Sequence, residues 1–292
     1  METSALFQMA ISGGLMGLVY ALVAYGFQLT HATSKAINFG QGELVMLSAL
    51  FGLTLVGLGI PYFLMVPLTL LFGAALGLVV ERVAVRLALE QKTEGWILLT
   101  IILGLFGVSA AENLWGRDDH PFPTPLPSEA FEIFGIHITP AEVAVAVGAF
   151  VIMAAVELFK RRTLLGKAVE AVAAEREAAE LVGIRSRTVI ALSFALSGGV
   201  AACAGLLAAP ITTVGPTMAA ALVLKAFSVA VVAGLDSGFG IVLAGVALGA
   251  IESLASFYLG SGWREAPGLA LLILALAIRP QGLFGKKAIK KV

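Results

Sequence analysis

The feature that most constrains this chain is a succession of apolar runs, each close to the thickness of a bilayer, separated by short polar or proline-bearing connections. A hydrocarbon core of about 30 Å is crossed by about 20 apolar residues in helix, and by fewer where a helix is broken or buried in protein. On that ruler the runs are residues 6–30, 38–57, 62–80, 96–115, 141–159, 189–209, 219–235, 239–259 and 268–278. With 59% hydrophobic and 13% charged residues among 292, and a mean hydropathy of +0.97, the composition is far from that of a soluble protein. The expected fold is all-α: a polytopic membrane helical bundle of about eight or nine transmembrane helices, forming a single domain over residues 1–292.

The connections orient the runs. Glu81-Arg82-Val83-Ala84-Val85-Arg86 opens a charged connection that continues through Lys92 and Glu94. Arg117, Asp118 and Asp119 lead into Pro121, Pro123, Pro125 and Pro127, a cluster that breaks regular structure. Cytoplasmic connections retain Lys and Arg. Of the 19 basic residues, three lie in 81–94, seven in 160–187 and five from Arg279 onward, which places those stretches inside. The proline loop has only Arg117 against Asp118, Asp119, Glu129 and Glu132, and belongs outside. An even number of crossings must then separate 160–187 from the tail Lys286-Lys287-Ala288-Ile289-Lys290-Lys291 beyond Pro280, so 219–235 has to cross despite its length. The count becomes about nine, with the N-terminus outside; a re-entrant 219–235 would change it. The first run has no Lys or Arg ahead of it and so lacks the charged region of a cleavable signal peptide; it reads as the first span.

Several function classes lose support at this level. A formal net charge of zero gives no reason to expect nucleic-acid binding. Cys203 is the only cysteine, which excludes an intrachain disulfide, and no metal-ligand spacing links His31, His120 and His137. Gly285-Lys286-Lys287 has neither the glycine spacing nor the hydroxyl of a nucleotide phosphate loop. No Ser/Lys, paired Asp or His-Glu arrangement stands at catalytic spacing, so neither an enzyme nor a cofactor is expected. The glycine pairs Gly13/Gly17, Gly73/Gly77 and Gly245/Gly249 have the spacing that lets membrane helices approach closely. Leu76-Gly77 before Glu81 and Leu248-Gly249 before Glu252 hint at an inverted repeat, one residue out of register.

Against this apolar background, Ile37-Asn38-Phe39-Gly40-Gln41-Gly42-Glu43 stands out. Burying its polar side chains costs roughly 2–7 kcal/mol each unless they find partners. The stretch opens a helix, and Glu43 suits the unpaired N–H groups and positive dipole end of a first turn. Asn38, Gln41 and Glu43 could equally line the inner end of a translocation path, since intramembrane polar groups tend to face cavities. Lys225 and Glu252 stand in comparable positions, either on the path or paired with another intramembrane charge. Glu112 and Asn113, near an outer end, face a partner or solvent.

Segment 160–187 is too long and polar for a tight turn. Residues 170–182 read as one helix, with Ala171, Ala174, Ala178 and Leu181 or Val182 on one face and Glu175, Arg176, Glu177 and Glu180 around the rest. Gly183 supplies its C-terminal stop. Glu177-Ala178-Ala179 followed by Gly183 resembles the EAA-x3-G loop of bacterial ABC importer permeases, whose short helix couples to the ATPase subunit. With Leu165-Gly166-Lys167-Ala168, Leu181-Val182-Gly183-Ile184, Val189-Ile190-Ala191-Leu192-Ser193-Phe194, Lys225-Ala226-Phe227 and Pro280-Gln281-Gly282-Leu283-Phe284-Gly285, the chain resembles the permease subunits of the branched-chain amino acid ABC importer family over nearly its whole length. It departs from that family at Gly40-Gln41 and at Asp236.

The resemblance implies a second related permease subunit, two cytoplasmic ATP-binding subunits, an extracytoplasmic substrate-binding protein and surrounding membrane lipid, in a bacterial or archaeal plasma membrane. It implies that Glu175, Glu177, Ala178, Ala179 and Gly183 couple to the ATPase. It leaves open branched-chain or related amino acids, urea and amides, or aromatic acids as substrate. The alternative class is a self-sufficient channel or ion-coupled carrier using Glu43, Glu252 or Lys225.

Overall fold

The computed structural model describes residues 2–127, 129–133, 136–279 and 281–285. Nine apolar helices carry the chain back and forth: α1 (Glu2–Ser34), α2 (Gln41–Gly57), α3 (Tyr62–Val80), α5 (Trp96–Trp115), α6 (Pro140–Arg162), α9 (Ser186–Ala208), α10 (Met218–Ala233), α11 (Gly238–Leu259) and α12 (Ala266–Ile278). Among the described residues seven helices are long and apolar enough to span a bilayer on their own, while α2 and α10 are shorter. The short α10, about 24 Å at 1.5 Å per residue, nevertheless crosses. Its start lies beside the outer connection, where Asp119 accepts from the hydroxyls of Thr213 (3.3 Å) and Thr217 (3.2 Å). Its last carbonyls, Val232 and Ala233, accept from Leu283 and Phe284 beyond α12. The expected crossing of 219–235 therefore holds, and no re-entrant loop is needed.

Three expectations need correction. The chain does not leave its helix at Glu81. It widens into a π-helical turn, Glu81–Val85, and continues as α4 (Arg86–Glu90). A π turn brings residues five apart to one side, and Arg86 pairs with the buried Glu81 at 2.8 Å. The charge that reads as a span end is thus satisfied inside the bundle. The proline loop is not wholly irregular: His120–Pro121 (β1) pairs antiparallel with Thr213–Val214 (β4), and Phe131–Ile133 (β2) with Ile136–Ile138 (β3). Finally, the single helix expected over 170–182 is two helices, α7 (Leu164–Ala174) and α8 (Arg176–Leu181), separated by Glu175 in an extended conformation (φ −156°, ψ 106°). Pro280 and the tail Lys286–Lys291 lie outside the described residues.

The core is organised by two helix pairs. α1 packs along α11, and α9 packs along α3; α1 and α9 also pack on each other and on α6. Both pairs meet through glycine. A Cβ at Gly17 would overlap the carbonyl oxygen of Gly245, and one at Gly249 that of Gly13. In the other pair, a Cβ at Gly77 would overlap the carbonyl oxygen of Phe194, and one at Gly198 that of Gly73. Ala21 stands against Gly245 as Ala202 stands against Gly73. α2 packs on α9 as α10 packs on α1. Since α1 runs inward and α9 outward, the two halves have inverted topology. The register is set by the glycines: three residues beyond Gly77 is Val80, three beyond Gly249 is Glu252. The acid that counterparts Glu252 in position is therefore not Glu81.

Candidate functional site

The cytoplasmic segment is built from local signals. Thr163 ends α6 and caps α7, its hydroxyl oxygen accepting from Gly166 N–H at 2.9 Å. α8 ends in a Schellman turn: Gly183, at φ +88°, donates to Glu180 O, and Ile184 donates to Ala179 O. Ala179 is the residue that seats α8, buried with Val169 and Val172 of α7 and Val189 of α9. Glu175, Glu177, Ala178 and Gly183 remain exposed. The break at Glu175 resets the helical phase, so Leu181 (89% exposed) and Val182 (77%) project from the protein and do not share a face with Ala171 and Ala174. The Glu180 carboxyl accepts from the Ser186 hydroxyl and from Arg176 (3.3 Å), which together hold it below its ordinary value. Only Val182 to Arg185 separate α8 from α9, and Arg187 of α9 reaches Glu90 at the end of α4 at 3.4 Å.

The polar stretch at the start of α2 ties α2 to the later part of α1 and to the middle of α9. Asn38 and Gln41 are fully buried. Asn38 Oδ1 accepts from Gly40 N–H at 3.1 Å, and Asn38 Nδ2 donates to Gln41 Oε1 at 3.2 Å. Ser197 Oγ on α9 lies 3.1 Å from Gln41 Oε1 and 2.9 Å from Gly26 O on α1, its one proton serving either. Phe39 stacks on Trp96 at 6.5 Å and meets Phe227 at 5.6 Å. Glu43 stands in the first turn of α2. Its carboxylate lies against Gly104 of α5, with Oε2 buried and unpartnered among the described residues.

Lys225 and Glu252 find each other. Lys225 Nζ donates to Glu252 Oε2 at 3.0 Å, and the Tyr20 hydroxyl donates to the same oxygen at 3.1 Å. Lys225 Nζ also stands 5.4 Å from the centre of the Tyr20 ring. Each charge thus offsets the other's burial, which alone would cost several kcal/mol. Glu252 Oε1 has no hydrogen-bond partner among the described residues. It borders a cavity of about 470 Å³ between the outer halves of α1 and α11, roofed by Arg264. Asn38, Gln41 and Glu43 do not line this cavity, so the path residues expected from sequence separate into an inner lock and an outer charged pair. Ser197, Tyr20 and Arg264 were not singled out by sequence: a serine and a tyrosine inside apolar runs give no local signal, and Arg264 sits in an ordinary turn. Glu112 pairs with Arg117 at 3.1 Å.

Seven bilayer-length helices and two shorter apolar ones among the described residues, inverted halves and a short helix presented on the basic face define a polytopic membrane transport protein. A family model described as branched-chain amino acid transport system / permease component matches residues 9–278, and the chain belongs to that family. It is similar to the high-affinity branched-chain amino acid transport system permease protein LivH of Salmonella typhimurium, at 28% identity over 98% of this chain and 97% of that one. The permease protein BraD of Pseudomonas aeruginosa matches at the same identity and coverage. A probable branched-chain amino acid transport permease protein LivH of Methanocaldococcus jannaschii matches at 26% over 90% of this chain and 88% of that one. The chain is thus a multi-pass inner-membrane permease subunit of an ABC importer, a class that works with ATP-binding and substrate-binding components.

Proposed function

We propose that this chain is one of two related permease subunits, a single transmembrane domain through which branched-chain amino acids, delivered by an outer binding protein, are imported at the expense of ATP hydrolysed by two cytoplasmic partner subunits. The observation that carries the reading is the α7–α8 segment. It seats Ala179 on the bundle while presenting Glu177, Ala178, Leu181 and Val182 to the cytoplasm. Exposed Leu and Val at the end of a six-residue helix suit burial in a cleft of a soluble subunit. A push on α8 passes through Val182–Arg185 directly into α9, and α9 holds the Ser197 contact to Gln41 and Gly26. Closure of the ATP-binding pair would therefore move α9 as a rigid body and break or make the inner lock formed by Asn38, Gln41 and the adjoining Glu43. Lys225 and Glu252 would line the outer part of the path.

Glu177→Arg and Leu181→Asp test the reading. Each is expected to reduce ATP-driven uptake of labelled leucine by about tenfold or more in proteoliposomes holding the full complex, because a desolvated interface contact of this kind carries about 2 kcal/mol. The yield and melting temperature of the complex should stay near wild type. Full uptake in either variant, or leucine uptake by the chain alone on an ion gradient without ATP-binding subunits, would overturn it.

A further inference from the structure

The outer ends of α3, α6 and α9 enclose a second cavity, of about 310 Å³. α3 and α6 both pack on α9, and the cavity is a cleft between them with α9 as its floor. The floor is one face of that helix: Cys203, Leu206 and Leu207 are half-buried, while Ala202, Ala204 and Ala208 beside them are buried in the bundle. Val66 and Leu70 stand at helical spacing on the α3 wall, and Ala144 and Ile152 on the α6 wall. The outer connection closes the top. Phe122 is buried there, the Tyr62 hydroxyl donates to Pro123 O, and Leu126 N–H donates to Thr124 Oγ1 at 3.2 Å. Val66 is 41% exposed, so the α3 wall continues onto the membrane-facing surface of the bundle.

The chemistry of the lining decides what such a space can hold. Its walls are almost wholly apolar, and the polar groups of the roof are already engaged with one another. A buried water needs two to four polar partners, which these walls do not supply. Left empty, the cleft would forfeit the dispersion contacts of its lining. A polar solute would find nothing to hold it, and a docked protein surface would lack its usual hydrogen bonds, about one per 100–200 Å². Depth points the same way: Tyr62–Leu70 rises about 12 Å, against about 15 Å for the outer half of the hydrocarbon core. We infer that the cleft is a binding site for one acyl chain of an outer-leaflet phospholipid, laid against Cys203, Leu206 and Leu207 of α9. The chain is recognised by its shape and apolarity. Since Pro123 O and Thr124 Oγ1 already accept hydrogen bonds from the protein, the head group adds little. The site is separate from the cavity at Glu252 and independent of the substrate carried. It bears on the outer end of α9, the helix that α8 leads into at the inner face.

The test is photocrosslinking of the complete complex in nanodiscs of phosphatidylglycerol that carries a diazirine at the middle of one acyl chain. Light expels N₂ from the diazirine, and the carbene left behind inserts into a neighbouring C–H or S–H bond, whose hydrogen passes to the carbene carbon. Adducts are mapped by peptide mass spectrometry. Phe63 and Leu71, 74% and 67% exposed on α3, report the ordinary lipid boundary. Adducts are expected on Cys203, Leu206 or Leu207 in a yield comparable to that at the boundary. Ala144→Phe, which fills the cleft from the α6 wall, should lower the α9 adducts by about tenfold. It should leave the boundary adducts and the melting temperature of the complex unchanged. Ile152→Trp fills the same cleft about two turns further along α6 and should act alike, so the test survives a folding failure of either variant. Phosphatidylethanolamine with the same labelled chain should give the same α9 yield. Labelling of Phe63 and Leu71 with none on α9, or α9 adducts that persist in both filled variants, would overturn the site. An α9 yield that followed the head group would overturn recognition through the chain.

Discussion

The α1–α11 and α3–α9 crossings share one backbone geometry and hold different contents. In both, glycines let a helix backbone rest on a carbonyl of its partner. At α3–α9 the positions beyond the glycines are apolar: Phe194 stands where α1 has Gly13, Val80 where α11 has Glu252, and Ala201 where α1 has Tyr20, and all three are buried. At α1–α11 the same positions give a small residue, a carboxylate and a phenol, and a cavity remains. The lesson is that close helix contact does not by itself decide whether a crossing is structural or functional. The side chains one turn beyond the glycines decide that.

The shared geometry predicts the largest effect. Gly17→Leu and Gly77→Leu each force a side chain into a partner's backbone, which has no alternative position, and overpacking of even ordinary cores costs about 1–3 kcal/mol or more. Both variants should lose the monodisperse peak in detergent size-exclusion chromatography. Survival of one and not the other would show that the crossings are unequal.

The differing contents predict the next. Lys225→Met leaves the Glu252 carboxylate buried and unpaired, a loss of about 3–5 kcal/mol, seen as a lowered melting temperature. The double variant Lys225→Met/Glu252→Met should recover most of that loss. Val80→Ala, at the counterpart position, should cost only about 1–3 kcal/mol from lost packing. A cost for Val80→Ala equal to that of Lys225→Met would erase the contrast.

A smaller effect lies outside both crossings and shows how far they are insulated from the coupling face. Glu180 is held below the ordinary glutamate value of 4.5 by Ser186 and Arg176. A depressed folded value means that its contribution is present above the unfolded value and is lost as pH falls through the folded one. The protection factors of the Gly183 and Ile184 amides, corrected for the intrinsic exchange rate at each pH, should therefore fall below about pH 4.5, and Glu180→Gln should remove that pH dependence. Protection factors in α1 and α11 should not change over the same range.

Much of the fold was legible. The limits of α3 and α5 coincide with the apolar runs, because a bilayer-length apolar segment has little choice but helix. The glycine pairs were legible as contact surfaces, and the charge count placed α10 as a crossing that its length alone would not. The misreadings share a cause. Glu81 looked like a span end because its partner, Arg86, meets it only through a π turn. Residues 170–182 looked like one helix because Ala, Glu and Arg all favour helix, and the break at Glu175 comes from docking Ala179 between α7 and α9. Of the site, the types and positions of Asn38, Gln41, Glu43, Lys225 and Glu252 were readable as buried polar groups needing partners. Who the partners are was not, since Ser197 lies 156 residues from Gln41 and Tyr20 lies 232 from Glu252.

By itself, then, the sequence determined the membrane class, the succession of crossings, their orientation and the helix presented inside, because each follows from local hydropathy, charge and turn chemistry. Tertiary structure alone decided which glycine meets which, that the Lys225 and Glu252 charges cancel, and that Phe194 fills the position that its counterpart, Gly13, leaves bordering a cavity. Those outcomes depend on contacts between residues far apart in the chain, and no local pattern carries the energy of such a contact.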